Sequence, residues 1–223
     1  CVRLFYNTSL DDMKKIYKEK KEYKDITPAS YKERFPFFKE VDSLALANAQ
    51  LNRNKALKAF FRKQNKFPKF KAKRNKQSYS TNNQNGTVYL SEDGKYISLP
   101  KIKNIKIKMH RKFDGVIKTV TVSKECDNTY YVSILVEENI EAKPKSNNSV
   151  GIDLGIKSYI VDSNAKRIDN PKHLSRSLLR LAIEQRKLSH MKKGGKNRNK
   201  QRIKVARLHR RIRNQRNDFL HKL

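Results

Sequence analysis

The chain has 223 residues, and its 53 Lys or Arg against 21 Asp or Glu give a formal net charge of +32, which calls for a polyanionic partner: self-repulsion opposes compaction, while released counterions turn the same charge into affinity for a phosphate backbone. No apolar run approaches the roughly 20 residues that cross a bilayer and no amphipathic terminal anchor stands out, so a membrane protein is excluded and a soluble, cytoplasmic chain, nucleoid-associated when bound to DNA, is expected. Two cysteines, Cys1 and Cys126, and five scattered histidines supply neither a disulfide framework nor a four-ligand zinc site, and with 36% hydrophobic residues the core is thin and divided.

The first residue is Cys1 rather than Met, followed by apolar Val2, Leu4 and Phe5, which predicts an internal start. Leu4, Leu10, Met13, Ile16 and Tyr17 recur at helical spacing and predict an amphipathic helix from Val2 to Tyr23, broken at Thr27-Pro28-Ala29. A second helix is predicted from about Asp42-Ser43 through Leu44, Ala47, Leu51, Ala56, Leu57 and Phe60, ending before Pro68. Next comes Phe67-Pro68-Lys69-Phe70-Lys71-Ala72-Lys73-Arg74, where aromatics alternate with bases and Pro68 opposes a helix. Such a strip can stack on bases while Lys69, Lys71, Lys73 and Arg74 hold phosphates. Equally, it can be a surface linker whose two Phe pack on the neighbouring domain.

From Tyr79 the period changes to two, and five short antiparallel strands are predicted at Val88–Leu90, Tyr96–Leu99, Ile105–Met109, Val116–Val122 and Tyr130–Val136, separated by turn signals such as Asp93-Gly94 and Asp114-Gly115. Their alternation fits a small antiparallel sandwich or barrel with a Lys face toward solvent or ligand. Residues 141–148 are polar and Pro-interrupted and read as a linker. Two further strands follow, Val150–Ile156 and Tyr159–Asp162, and then a helical hairpin whose stripes are Leu174, Leu178, Leu181, Leu188 and Val205, Leu208, Ile212, Phe219, broken around Lys193-Gly194-Gly195-Lys196-Asn197. The apolar stripe runs on through Leu223 with no stop signal, so the end is expected to be internal too.

Two features carry chemistry. Asp153 interrupts a strand that otherwise reads as buried, where an unpaired carboxylate would cost several kcal/mol, so a cation is expected to compensate. A divalent metal in an RNase H-like nuclease, the phosphate loop of an actin or sugar-kinase type ATPase, and a capping Asp in a turn are all compatible with Asp-x-Gly. Ile156-Lys157, in place of the Ser or Thr that would meet phosphate, weakens the ATPase reading. The hairpin from Pro171 to Leu223 holds eighteen Lys or Arg against Glu184 and Asp218 alone. Lys193, Lys196, Arg198, Arg207, Arg210, Arg211, Arg213 and Arg216 are its candidate phosphate contacts, and Arg207, Arg210 and Arg211 are expected to share one face opposite the apolar stripe.

The strings Val150-Gly151-Ile152-Asp153-Leu154-Gly155-Ile156-Lys157, Asn170-Pro171-Lys172-His173-Leu174, Ala206-Arg207-Leu208-His209-Arg210-Arg211-Ile212 and Asn214 to Leu223 resemble the OrfB/TnpB family of insertion-sequence proteins, relatives of type V CRISPR nucleases. Phe5-Tyr6-Asn7, Phe67 to Lys71, Leu99-Pro100-Lys101 and Tyr130 to Ile134 resemble it in the same order. The resemblance implies a transposon-encoded, RNA-guided, metal-dependent DNA endonuclease with guide RNA and DNA as partners and Mg²⁺ or Mn²⁺ as cofactor. The implied fold is α+β and multidomain: a helical recognition lobe at 1–75, a β-barrel wedge domain at 76–140, the 141–148 linker, and the opening of a RuvC-like RNase H-like domain at 149–223. Asp153 matches the first of three catalytic carboxylates and so is the implied metal ligand. The other two, and the Cys-x-x-Cys zinc ribbon, are implied to lie beyond Leu223, so these residues alone are expected to bind but not to cut. A non-catalytic RNA- or DNA-binding regulator derived from such a protein is the alternative expectation.

Overall fold

The computed structural model describes residues 1–21, 25–74, 76–139, 141, 142, 144 and 147–223. The expected extension of the first helix to Tyr23, and Lys143, Lys145 and Ser146 of the expected linker, lie outside the described residues. The chain divides into two compact units, Cys1–Glu125 with Thr129–Ile140, and Cys126–Asn128 with Glu141–Leu223.

The first unit begins with helix α1, Val2–Lys20, whose apolar period buries Phe5, Tyr6, Leu10 and Met13. It stops where Lys21 turns left-handed at φ 54° and donates its N–H to the Tyr17 carbonyl. Two single-turn 3-10 helices follow, Pro28–Tyr31 and Pro36–Lys39, each opened by a proline whose missing N–H costs nothing at a first helical position. Helix α2, Ser43–Phe61, starts at Asp42, whose Oδ1 accepts from the Leu44 N–H at 3.0 Å. Phe5, Tyr31, Phe38, Leu46 and Ala49 make one core, with Phe5 edge-on to both Tyr31 and Phe38. Tyr6, Leu10, Met13 and Leu57 make a second. Between them lies a fully buried Arg53, which donates to Asp25 Oδ1 at 2.7 Å and to the Ile26 carbonyl at 3.0 Å.

Six strands complete the unit: β1 Gln77–Asn82, β2 Tyr89–Leu90, β3 Tyr96–Leu99, β4 Ile102–Lys106, β5 Val116–Lys124 and β6 Tyr130–Glu137. They form two antiparallel sheets of three strands, β1-β5-β6 and β2-β3-β4. The expected closed barrel is therefore corrected. Among the described residues no strand ladder joins the two sheets; they share side chains instead, with Val88, Ile97, Leu99 and Val120 buried among Leu90, Ile105, Val122, Val132 and Ile134. The β1 strand escapes sequence reading because Gln77-Ser78-Tyr79-Ser80-Thr81-Asn82 has no apolar alternation; its ladder to β5 and the Ser80–Thr121 hydroxyl pair at 2.7 Å hold it. The β4 strand begins three residues earlier than expected. Pro100 sets the first position of a two-residue turn and Lys101 takes φ 67°, so Leu99 pairs directly with Ile102.

The second unit holds a third antiparallel sheet, β7 Ile152–Leu154, β8 Ser158–Asp162 and β9 Arg167–Asp169, in that order. The β9 strand was too short to show a period. A hairpin of α3, His173–His190, and α4, Lys196–His221, follows, turning at Met191 to Gly195. Leu181, Val205 and Ile212 are its buried contacts, with Leu188 and Leu208 packed against them. No helix among the described residues is long and apolar enough to cross a membrane.

Candidate nucleic-acid interface

The aromatic and basic strip is fixed by one side chain. The Asn7 amide on α1 donates Nδ2 to the Lys71 carbonyl at 3.0 Å and accepts the Lys71 N–H on Oδ1 at 2.8 Å, closing a strand-like pair with residue 71. The two Phe of the strip have different surroundings. Phe67 packs against the Tyr6, Leu10, Met13 and Leu57 core and stands edge-on to Phe60, as a linker residue would. Phe70 is exposed, with Lys14 Nζ 5.3 Å from its ring centre. Lys71 lies 4.2 Å over the Tyr6 ring, and burial pushes its ammonium below the ordinary lysine range. Lys69, Lys73 and Arg74 are exposed.

Asp153 lies in β7, opposite Val161, which in turn lies opposite Arg167. Directly paired residues project to one face of a sheet, so Asp153, Val161 and Arg167 share a face and Leu154, Ile160 and Ile168 share the other. The strand is not buried as expected. Among the described residues it is the edge of its sheet, and Leu154 in it and Ile156 just beyond it are 72% and 90% exposed. Asp162 is a turn residue: its Oδ1 accepts the N–H groups of Asn164 and Lys166, both at 2.9 Å. Asp169 sits opposite Ser158 in the same hairpin. Among the described residues no group of three or more His, Cys, Asp or Glu is placed to hold a metal. Asp153 by itself does not fit the pair of cations that a three-carboxylate site would hold, and no reaction step is derived through one.

The α3–α4 hairpin splits the expected arginine face. Arg207 and Arg211, one turn apart on α4, line a cleft of about 230 Å³ with Arg180 of α3, Lys204, Leu208 and Glu184. The one carboxylate there is already engaged. Glu184 is nearly buried; it accepts Gln201 Nε2 at 2.6 Å and pairs with Lys204 at 2.9 Å, and these two contacts, Gln201 first, hold its carboxyl below the ordinary range. Arg210 points elsewhere, with Nη1 2.9 Å from the Asp127 carboxylate, itself almost wholly buried. Lys193, Lys196, Arg213 and Arg216 are exposed, and Arg198 is half-buried.

Residues 115–223 match a family described as "Probable transposase". A protein of Streptomyces pristinaespiralis named "Putative RNA-guided DNA endonuclease" is 34% identical over 232 residues, covering 100% of this chain and 57% of its own length. One from Escherichia coli (strain K12), "Putative RNA-guided DNA endonuclease InsQ", is 32% identical over 188 residues, covering 84% of this chain and 46% of its own length. The chain belongs to the OrfB/TnpB family. It spans about half the length of the curated relatives it matches. The OrfB/TnpB match over 115–223 takes in Asp153 and the whole arginine cleft. Arg180 and the Glu184–Gln201–Lys204 cluster were missed by sequence reasoning, although a signal was present: Arg180 and Glu184 are four residues apart and so share a face of α3.

Proposed function

We propose that these 223 residues form the nucleic-acid-binding part of a transposon-encoded, RNA-guided DNA endonuclease. On this reading the helical segment to residue 74 is the recognition lobe, the two sheets from Gln77 to Glu137 are the wedge domain, and β7-β8-β9 with the hairpin opens a RuvC-like domain whose first carboxylate is Asp153. The observation that carries the proposal is the cleft. Arg180, Arg207 and Arg211 converge on it while its carboxylate is occupied by Gln201 and Lys204, so an anion entering it meets guanidinium groups and no competing acid. Planar forks suit phosphate oxygens in pairs, and a cleft set by two packed helices holds them in place before the ligand arrives. The names of the two relatives supply the guide RNA and the DNA.

The test is the double substitution Arg207→Gln/Arg211→Gln. Helix content should stay unchanged, affinity for RNA and for RNA–DNA heteroduplex should fall, and the slope of log affinity against log salt should shrink by about 2. Parental binding at moderate salt would place the nucleic acid elsewhere. Arg210 is left out of the variant because it pairs with the nearly buried Asp127 carboxylate, so its loss would confuse folding with binding.

A further inference from the structure

The sheet β2-β3-β4 buries one face and leaves the other partly exposed, with Ser98 on that side covered. Leu90, Ile97 and Ile105 lie opposite one another on the inner face, within the core shared with β5 and β6. Alternation then sends Tyr89, Tyr96 and Lys106 outward, and Tyr96 and Lys106 are direct cross-strand partners. Tyr89 and Tyr96 are 48% and 39% exposed. Tyr89 sits opposite Ser98, two residues from Tyr96, which makes the two rings diagonal neighbours about 7–8 Å apart at their backbones. Lys103 Nζ lies 5.3 Å from the centre of the Tyr89 ring.

Beyond β4 the chain stays extended. Ile107 donates its N–H to the Lys95 carbonyl at 2.8 Å, and exposed Lys106, Lys108 and His110 alternate with half-buried Ile105, Ile107 and Met109. The outward ammonium groups of Lys106 and Lys108 are therefore about 6.7 Å apart along the edge of the sheet. From Lys95 through Phe113 there are seven Lys or Arg and no Asp or Glu. Of the two acids in the β2–β3 turn, Glu92 and Asp93, the second is bound by the Ser91 hydroxyl and the Lys95 ammonium. Neither this sheet face nor this edge belongs to the arginine cleft or to the strip at 67–74.

We propose that the outer face of β2-β3-β4 is a stacking platform for an unpaired segment of single-stranded RNA, with one base on Tyr89 and the next on Tyr96 and the flanking phosphates on Lys103, Lys106 and Lys108. Flat rings beside a line of cations are the two elements of sequence-tolerant single-strand binding. An acidic peptide would use the cations but not the ring faces, and duplex would offer no free base. RNA is chosen over DNA because the inference rests on the proposed function, in which the guide carries unpaired loops and ends throughout while the DNA is paired until it is opened.

The experiment measures binding of the 223-residue chain to a short unstructured RNA labelled with 2-aminopurine, to the same sequence as DNA, and to a duplex RNA of equal charge. The parent should quench the probe on binding, and Tyr89→Ala and Tyr96→Ala should each weaken single-stranded RNA by about tenfold or more while leaving duplex RNA within about twofold. Tyr89→Phe and Tyr96→Phe keep the ring and should restore binding, which separates stacking from folding. Alanine variants that bind the single strand like the parent, or lose duplex equally, overturn the platform. Equal affinity for the DNA strand overturns the assignment to RNA, and displacement of the RNA by poly-glutamate at matched charge would make it an acidic-protein site. A parent that retains duplex RNA but ignores single strands refutes this inference and leaves the proposed function standing; a parent that binds no RNA at all refutes both.

Discussion

The helical segment up to residue 74 and the α3–α4 hairpin are both rich in lysine and arginine, yet their cations live in different surroundings. In the first, several are built into the packing: Arg53 is fully buried on Asp25, Lys14 faces the Phe67 and Phe70 rings, and Lys71 covers Tyr6. An aromatic core supports them, with Phe5, Phe35, Phe37, Phe38 and Tyr31 in mutual contact. The hairpin buries little beyond Leu181, Val205 and Ile212, and apart from Arg210 on Asp127 and half-buried Arg198 most of its guanidinium groups flank a cleft or are exposed. The difference shows that net charge does not locate a binding surface. Where rings and carboxylates are near, a cation is built into the packing; where the core is a single apolar seam, most cations of the same type stay exposed.

Three changes would break or sharpen that contrast. The largest effect is expected for Phe38→Ala, which removes a fully buried ring from the first unit and should cost about 3–5 kcal/mol in urea denaturation, while the salt slope of RNA binding stays at its parental value. A stability loss accompanied by a changed slope would mean that packing and binding are not separate in this unit. Smaller is Asn7→Ala, which deletes both hydrogen bonds to Lys71; a loss of about 1 kcal/mol is expected, with faster amide exchange at residues 69–73 and unchanged exchange in α2. The smallest concerns pH. Glu184 is held below its ordinary range in the folded hairpin, so its contribution is complete above the unfolded carboxylate value near 4.5 and fades as pH falls through the lower folded value. Circular dichroism of the parent should show the hairpin loosening on acidification below about pH 4, and Glu184→Gln should flatten that dependence.

The helices were legible because their period and punctuation agree: Asp42 caps α2 as its position before Ser43 suggests, and Gly194-Gly195 ends in the turn between α3 and α4. The sheets were less so. β1 is a polar sequence held by its neighbour, and β4 is displaced by a left-handed Lys101, a conformation that no hydrophobic pattern encodes. For the candidate site, the density of cations on the hairpin could be read, but their division could not. Arg207, Arg210 and Arg211 occupy nearby helical angles, and only the position of Asp127, some eighty residues away in sequence, draws Arg210 off the common face. The exposure of Asp153 was hidden for a related reason: an apolar run says that a strand requires cover on both sides, not that it has it.

That uncovered strand bears on how the molecule behaves in concentrated solution. Among the described residues β7 pairs on one side only, and Ile152 and Leu154 in it are exposed, the kind of border along which copies of a protein join strand to strand. At low ionic strength a net charge of +32 keeps such copies apart. At about 1 M salt the screening length drops to about 3 Å and the repulsion is gone, while apolar attraction persists. The salt that screens the basic surfaces therefore also removes the colloidal protection of this edge.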